Sequence, residues 1–567
     1  MVNLIPRSGI WKNLASAKND TIVPVLLNET DMERLIVRLL ERIVKHGRVS
    51  TPNGVPGLEG LQKIVESLAS NVKIRGFASP VGKQILEGWL RASVLAMKKS
   101  GRGRSGQENI DYFVPHSAAV YRSGYPRTTS RYRKADLFAY ESMIAVSTIG
   151  SNAQRFDVAK GIMNLIADEA NLESRSVLGK GVEFGAFPRT SPHYSEGSTV
   201  DIESLLQLRA LEGLVGRDPN SDPVVTKLGP FTETHVKLGE DLISFLEACR
   251  DRTSLEVTSG LEAILGFHLY CLPLLTALAI EREFTAYKTS DESTKAENLD
   301  LYFDFTNDSS SRSSSIANLA VARDFKRMRR LFDSMMVLRE TEASVLQSHL
   351  SSQYVNYTKD HYQDLVSELI RLYNNPEIHT VASVRLSMLM GEMSDEQREI
   401  SSRVIEDYDN PIEKIARIVI EDRQKEALDG MRKWAYSTGG LEPVARETAN
   451  SLLSGTKRAP TTWKYRLSDS MLTTLIQMCF IHEGNPTDAT RPVRMPMHML
   501  IRRLEERYGI VIDRPPTEMD SMEDHKAAAR NKAAFKDKLK MLGLFDGLSD
   551  DSNAQLVRNP LGGRNAG

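Results

Sequence analysis

The feature that most limits what this chain can become is the run at residues 261–280, its longest apolar stretch. As a helix it would approach the length needed to cross a bilayer. Glu262, His268 and Pro273 interrupt it, and Glu281, Arg282 and Glu283 follow at once. Charges and a mid-span proline are costly in hydrocarbon, so the run predicts a core helix enclosed by protein, with no membrane involved. Enclosing such a helix takes a large helical body. The chain has 567 residues, 41% hydrophobic and 26% charged, the make-up of an ordinary globular protein, which argues against a disordered or fibrous class.

The rest of the sequence supplies that body. Residues 30–46 place Leu35, Leu39 and Ile43 on one stripe, with Thr30 or Asp31 available to cap the start and Gly47 the end. Similar patterns recur at 58–70, 80–98, 201–215, 237–249, 317–350, 360–373, 411–435, 468–482 and 496–508. Strand-forming stretches are short, as at 22–27 and 510–512, and do not alternate with helices as a doubly wound sheet requires. The expected fold class is mainly α: a multi-region helical protein with minor β elements. Loops rich in Gly, Pro or Ser at 48–60, 100–109, 178–200, 454–462 and 484–496 divide it. The Ser-rich stretch 304–316 reads as a mobile linker. The regions expected are 1–200, N-terminal and helical with basic loops; 201–450, central and helical; 451–550, a C-terminal module; and 551–567, a flexible polar tail.

Cys249, Cys271 and Cys479 are too few for a disulfide framework, and the first twenty residues lack the apolar core of a secretory signal. Both point to a reducing cytoplasm. Lys plus Arg is 73 and Asp plus Glu is 74, a net charge of -1, so any site for a polyanion must be a patch on a mixed surface. Residues 121–134 hold such a patch. Arg122, Arg127, Arg131, Arg133 and Lys134 occur there with no acid, interleaved with Tyr125 and Tyr132, and Lys98, Lys99, Arg102 and Arg104 lie in and beside the preceding loop. Cations neutralise phosphates and tyrosine rings stack on bases, so these are candidate nucleic-acid contacts. The alternative is a solvated loop, or arginines paired with acids elsewhere. A second cluster, Arg323, Lys326, Arg327, Arg329 and Arg330, reads better as a helix face that pairs with acidic helices.

In the C-terminal module a helix capped by Ser468 or Asp469 is followed by a second helix ending at Gly509, a short strand at 510–512 and a basic helix at 526–542. Helix, helix, strand, helix is compatible with a winged-helix-like module whose basic helix enters a major groove, with Lys532, Lys536 and Lys540 on phosphates. The competing reading is a helical subdomain that docks on the rest of the protein.

Signatures of chemistry are weak. Residues 76–84 approach a phosphate loop, but the spacing is one too long and Gln84 stands where a Ser or Thr is needed. Cys479 and His482 share a helical face near Glu483 and His498, but the second cysteine pair of a zinc finger is missing, so a buried thiol and a capping histidine are expected. His268 reads as a satisfied core histidine. Glu413, Glu421, Asp422 and Lys425 supply nuclease residue types on one helix, a poor arrangement for that chemistry. Met388, Met390 and Met393 read as core filling. No catalytic residue, metal ligand or cofactor follows.

Residues 466–480, 507–513 (Arg507-Tyr508-Gly509-Ile510-Val511-Ile512-Asp513) and 542–545 (Leu542-Gly543-Leu544-Phe545) resemble large helical accessory subunits. Those are encoded beside ATPases and nucleases in bacterial anti-phage defence and modification-linked restriction operons. The resemblance covers the last fifth of the chain and transfers no functional residue. It implies a non-catalytic DNA-recognition or adaptor subunit whose partners are DNA and other protein subunits, an ATPase or nuclease among them. The alternatives are a protein–protein scaffold without nucleic-acid affinity, and a nuclease or other enzyme whose site is assembled from dispersed residues.

Overall fold

A computed structural model describes residues 4–5, 11, 22–44, 47, 49, 60–72, 74–100, 107–116, 132–147, 182–183, 193–194, 202–211, 232–249, 252, 254–289, 299–361, 364–441, 448–483, 492–547 and 555–562. Sixteen α-helices occur among them: α1 (Met32–Val44), α2 (Leu61–Ala69), α3 (Pro80–Trp89), α4 (Ala135–Ser147), α5 (Ile202–Ala210), α6 (Thr232–Ala248), α7 (Ser254–Thr289), α8 (Arg312–Val345), α9 (Ser351–Asp360), α10 (Leu365–Tyr373), α11 (Pro376–Glu392), α12 (Asp395–Ile405), α13 (Pro411–Thr438), α14 (Asp469–Glu483), α15 (Met497–Tyr508) and α16 (Met522–Met541). The strands are short: β1 (Leu95–Ser100), β2 (Gln107–Phe113), β3 (Val182–Glu183), β4 (His193–Tyr194), β5 (Leu301–Tyr302), β6 (Leu453–Thr456), β7 (Ala459–Tyr465), β8 (Arg494–Pro496), β9 (Ile510–Val511), β10 (Phe545–Gly547) and β11 (Gln555–Arg558). The protein is mainly α, as its periodicity predicts.

The apolar run forms the middle of α7, buried among α6, α8, α13 and α14. Over residues 255–285 it is long and apolar enough to cross a membrane, yet most of its best window is buried by other helices. Pro273 lies inside it. Proline has no N–H, so the carbonyl four residues earlier loses its helical donor. That carbonyl belongs to Leu269, and the indole Nε1 of Trp434 on α13 donates to it at 2.9 Å. One turn earlier, Gly266 lets α7 meet the chain after α13. A Cβ there would sit 2.4 Å from Asn450 Cβ.

Local signals hold at many ends. Asp31 Oδ1 accepts from Arg34 N at 3.2 Å, and Gly47 has a positive φ of 90° after α1. Ser468 caps α14 through Met471 N at 3.1 Å. Gly509, with φ 66°, ends α15 in the left-handed region. Ser79 accepts from Gly82 N at 3.0 Å and Pro80 follows it, so the near phosphate loop is a helix cap; Lys83 is bound to Glu66 at 2.6 Å.

Several expectations are corrected. The pattern at 80–98 does not stay helical: after α3 comes a π-helical turn, Leu90–Val94, and then β1, which pairs antiparallel with β2. Residues 22–27 form bends and turns, not a strand. The stretch 304–316 is a hydrogen-bonded cap rather than a linker. Asp304 Oδ1 accepts from the Thr306 and Ser313 hydroxyls, each at 2.8 Å, and Ser311 caps α8 through Ser314 N. Within the expected tail, β11 is the central strand of a sheet. The regions on either side of residues 200 and 450 also touch one another. Leu4 N donates to Asp422 at 2.6 Å, Thr30 N to Ser437 at 3.1 Å, and β5 pairs in parallel with β9.

Candidate nucleic-acid interface

The C-terminal module runs α14, β8, α15, β9, α16, β10, β11. Strands β8, β10 and β11 form an antiparallel sheet in the order β10-β11-β8. β9 is not part of that sheet; it pairs with β5 instead. The module's own path is thus helix, strand, helix, helix, strand, strand, with the last strand in the centre.

The inner face of α16 is fixed by polar as well as apolar contacts. Asn531 is fully buried. Its side chain donates to Phe303 O at 2.8 Å and Ile512 O at 3.1 Å, and accepts from Phe305 N at 2.8 Å. It therefore satisfies the free backbone groups beside β5 and β9. Phe535 packs on Phe305 with ring centres 4.9 Å apart. At the N-terminus, Ser521 and Asp524 make a reciprocal capping box, and Arg312 reaches Asp524 at 2.8 Å. The Ser521 hydrogen bond and Arg312 together hold that carboxyl below its usual range.

With the inner face set, Lys526, Ala529, Arg530 and Ala533 form an exposed stripe at i, i+3, i+4 and i+7. Lys526 and Arg530 meet no carboxylate among the described residues. The lysines expected to bind phosphate are placed differently. Lys532 pairs with Asp513 at 3.0 Å and Lys540 with Asp537 at 2.9 Å. Lys536 lies over the Phe545 ring, 5.3 Å from its centre, and Lys538 pairs with Asp469. The helix is basic as read, but its exposed cations without a carboxylate partner among the described residues are Lys526 and Arg530, N-terminal to Lys532, Lys536 and Lys540.

The N-terminal patch is only partly visible. Arg102, Arg104, Arg122, Tyr125, Arg127 and Arg131 lie outside the described residues, as does the side chain of Lys99. Lys98 is exposed on β1. Tyr132 is a correction. It is buried, and Arg38 lies over its ring 4.8 Å from the centre, so this face of the ring is not offered to a base. Arg133 Nε donates to Glu29 O at 2.9 Å, and Arg133 O accepts from Leu26 N at 2.8 Å. Both Arg133 and the exposed Lys134 have left-handed backbones, with φ 54° and 64°. This end of the patch stitches residues 26–29 to the start of α4.

The second basic cluster does pair with acids. Arg323 and Arg327 both reach the buried Asp324, at 3.0 and 3.3 Å, and Arg330 lies 3.4 Å from Glu281. Tyr465 donates to Asp324 at 2.6 Å. The methionines divide: Met393 is buried and Met388 exposed.

Sequence reading missed a buried charge centre altogether. Asp241 on α6 lies between three other helices. His268 Nε2 of α7 is 2.8 Å from its Oδ2, and His482 Nε2 of α14 is 2.8 Å from its Oδ1. From α15, Tyr508 donates to Oδ2 at 3.0 Å and Arg507 to Oδ1 through Nε at 3.0 Å. Burial opposes ionisation there, but the two histidines and Arg507 outweigh it and hold the carboxyl far below its usual range. His268 is a satisfied core histidine, as read. His482 is not a cap but a second partner of the same carboxylate. Cys479 is buried beside it, and burial drives its thiol well above the ordinary value. Glu413 and Asp422 also serve separate partners, Tyr373 and Leu4 N, each at 2.6 Å. Among the described residues no group of three His, Cys, Asp or Glu side chains is arranged to hold a metal ion.

Residues 12–561 match the family of the methylation-associated defense system protein MAD7. The likeness to defence-system proteins therefore extends over nearly the whole chain, not just its last fifth. No curated protein matches it.

Proposed function

Because the chain belongs to this family of defense-system components, we propose that it is a non-catalytic DNA-binding adaptor that presents α16 to duplex DNA. The carrying observation is the outward stripe Lys526-Ala529-Arg530-Ala533 on the third helix of the α14–β8–α15–α16–β10–β11 path. That path and the central position of β11 support a winged-helix-like module, in which the helix before the last two strands enters the major groove. The two alanines let the helix backbone come close to base edges, and the two cations neutralise flanking phosphates. The central helices would dock other subunits, an ATPase or nuclease among them. The three free, buried thiols suit a cytoplasmic setting.

The test is a titration of the full chain with duplex DNA at two salt concentrations. Affinity is expected to fall steeply as salt rises, and Lys526→Glu with Arg530→Glu is expected to weaken binding and flatten the salt slope by roughly two units. Absence of binding at low salt, binding indifferent to salt, or an unchanged double variant each overturns the reading.

The second reading is a scaffold without nucleic-acid affinity. The pairing of Lys532, Lys538 and Lys540 with acids favours it, since these cations are already neutralised. It expects stable co-purification with another subunit and no DNA binding.

A further inference from the structure

At the end of α13 opposite the β6–β7 turn lies a cavity of 610 Å³ lined by Arg432, Tyr436, Thr456, Lys457 and Arg458. Hydrogen bonds shape the hairpin side of the cavity. Trp463, fully buried, donates from Nε1 to Thr456 O at 2.9 Å, and Thr456 N donates to the Thr462 hydroxyl at 2.9 Å. Gly455, with φ 136°, lets the hairpin pinch so closely that a Cβ would lie 2.7 Å from Thr462 O. The turn therefore brings Lys457 and Arg458 to the mouth.

The charges around the cavity do not cancel. Arg432 and Lys433 both pair with Asp429 at 2.6 Å, and Lys457 lies 3.7 Å from Glu29. Arg458 is exposed and has no acidic partner among the described residues. Three lining cations, Arg432, Lys457 and Arg458, thus outnumber the two carboxylates that reach them, Asp429 and Glu29. Arg432 Nε is shut off from the surface and has no acceptor among the described residues. The Arg432 side chain as a whole is 40% exposed and lines the cavity, with a terminal nitrogen on Asp429. The Tyr436 phenol, pushed up to about 12 by burial and Glu29, stays neutral and adds no negative charge.

We propose that this cavity binds the phosphate of a nucleotide, with Arg432 and Arg458 as the chief contacts and Thr456 and Lys457 as further donors. An excess of positive charge over paired acid attracts a phosphate, and a guanidinium offers paired donors to its oxygens. The volume exceeds a bare phosphate and lies in the range of sites that hold small ligands. The ammonium of Lys457 sits 4.1 Å from the centre of the Tyr436 ring and covers that face, so the base is not stacked there and recognition rests on the phosphate. The same chemistry serves a free mononucleotide or a phosphate within a nucleic-acid strand. The proposal does not depend on α16.

The experiment is calorimetric titration of the full chain with inorganic phosphate, adenosine 5′-monophosphate and a short single-stranded oligonucleotide. At least one of the two nucleotide probes is expected to bind more tightly than inorganic phosphate. Preference for the mononucleotide or for the oligonucleotide identifies the source. Arg458→Glu, at an exposed turn, is expected to weaken that binding about tenfold or more, and Arg432→Gln to weaken it similarly. Thermal unfolding confirms that each variant is folded, and Arg458→Glu carries the test if Arg432→Gln is not. The Lys526→Glu/Arg530→Glu chain is expected to keep mononucleotide affinity, which separates this site from the duplex interface. No binding of either nucleotide probe at millimolar concentration, or binding unchanged in Arg458→Glu, overturns the proposal.

Discussion

Trp434 donates its indole N–H to Leu269 O at 2.9 Å, the carbonyl left without a helical partner by Pro273. A proline that would weaken an isolated helix thus becomes a docking point between α7 and α13. Trp434→Phe keeps most of the ring volume but strands that carbonyl in the core. A loss of about 1–3 kcal/mol in urea unfolding is expected. In a Pro273→Ala background, where the helix supplies its own donor, the same substitution is expected to cost clearly less. Equal costs in both backgrounds would count against the linkage.

Glu340 on α8 and Arg385 on α11 form a fully buried pair, with Arg385 Nε 2.6 Å and a terminal nitrogen 3.0 Å from the two carboxylate oxygens. Burial raises the Glu340 carboxyl despite Arg385. Arg385→Met leaves that carboxylate without its buried cation, with only the Ser344 hydroxyl still donating to it at 3.0 Å, and is expected to cost about 3–5 kcal/mol at neutral pH, while Glu340→Leu with Arg385→Met recovers most of the loss. Chemical denaturation of the single and double variants measures both. A double variant as unstable as the single one would refute it.

His235 on α6 is buried against the edge of Phe138, with ring centres 5.0 Å apart, and burial lowers its pKa from 6.5 to about 4. Between those values the unfolded chain holds a proton that the folded one does not. Stability is therefore complete above pH 6.5 and falls on acidification, by about 3 kcal/mol at pH 4. His235→Phe should flatten that limb of a stability–pH curve. A curve unchanged by the substitution would assign the limb to other groups.

Asp241 acts in a lower window. Its carboxyl is depressed relative to the ordinary 3.8, so its contribution is present above that pH and is lost as pH falls below it. Asp241→Asn strands two histidines and Arg507 around a neutral amide. A loss of about 3–5 kcal/mol at pH 7 is expected, together with a shallower decline below pH 4. Equilibrium unfolding across pH reads both, and an intact acid limb in the variant would show that the carboxylate is not its origin.

The readings that succeeded are those in which the physics is local. A stripe at Leu35, Leu39 and Ile43, a serine at 468 and a glycine at 509 act within one or two turns, so their neighbours in sequence are their neighbours in space. The periodic patterns leave out α4, α9, α11 and α12. α4 is apolar on nearly all sides, and α11 mixes exposed and buried apolar residues, so neither shows a clean stripe. α16 was legible as a basic helix, but not which of its cations face outward. That depends on Asn531 seeking the backbone of 303, 305 and 512.

By itself the sequence determined the helical class, the enclosed α7 and many of the helix ends, because hydrophobic period and capping are properties of consecutive residues. Only the tertiary structure decided which charges cancel and which remain exposed. Asp241 collects partners from positions 268, 482, 507 and 508, and β11 joins β8 across an intervening pair of helices. Such pairings are set by which surfaces are buried together, a choice made by the whole core rather than by any one segment.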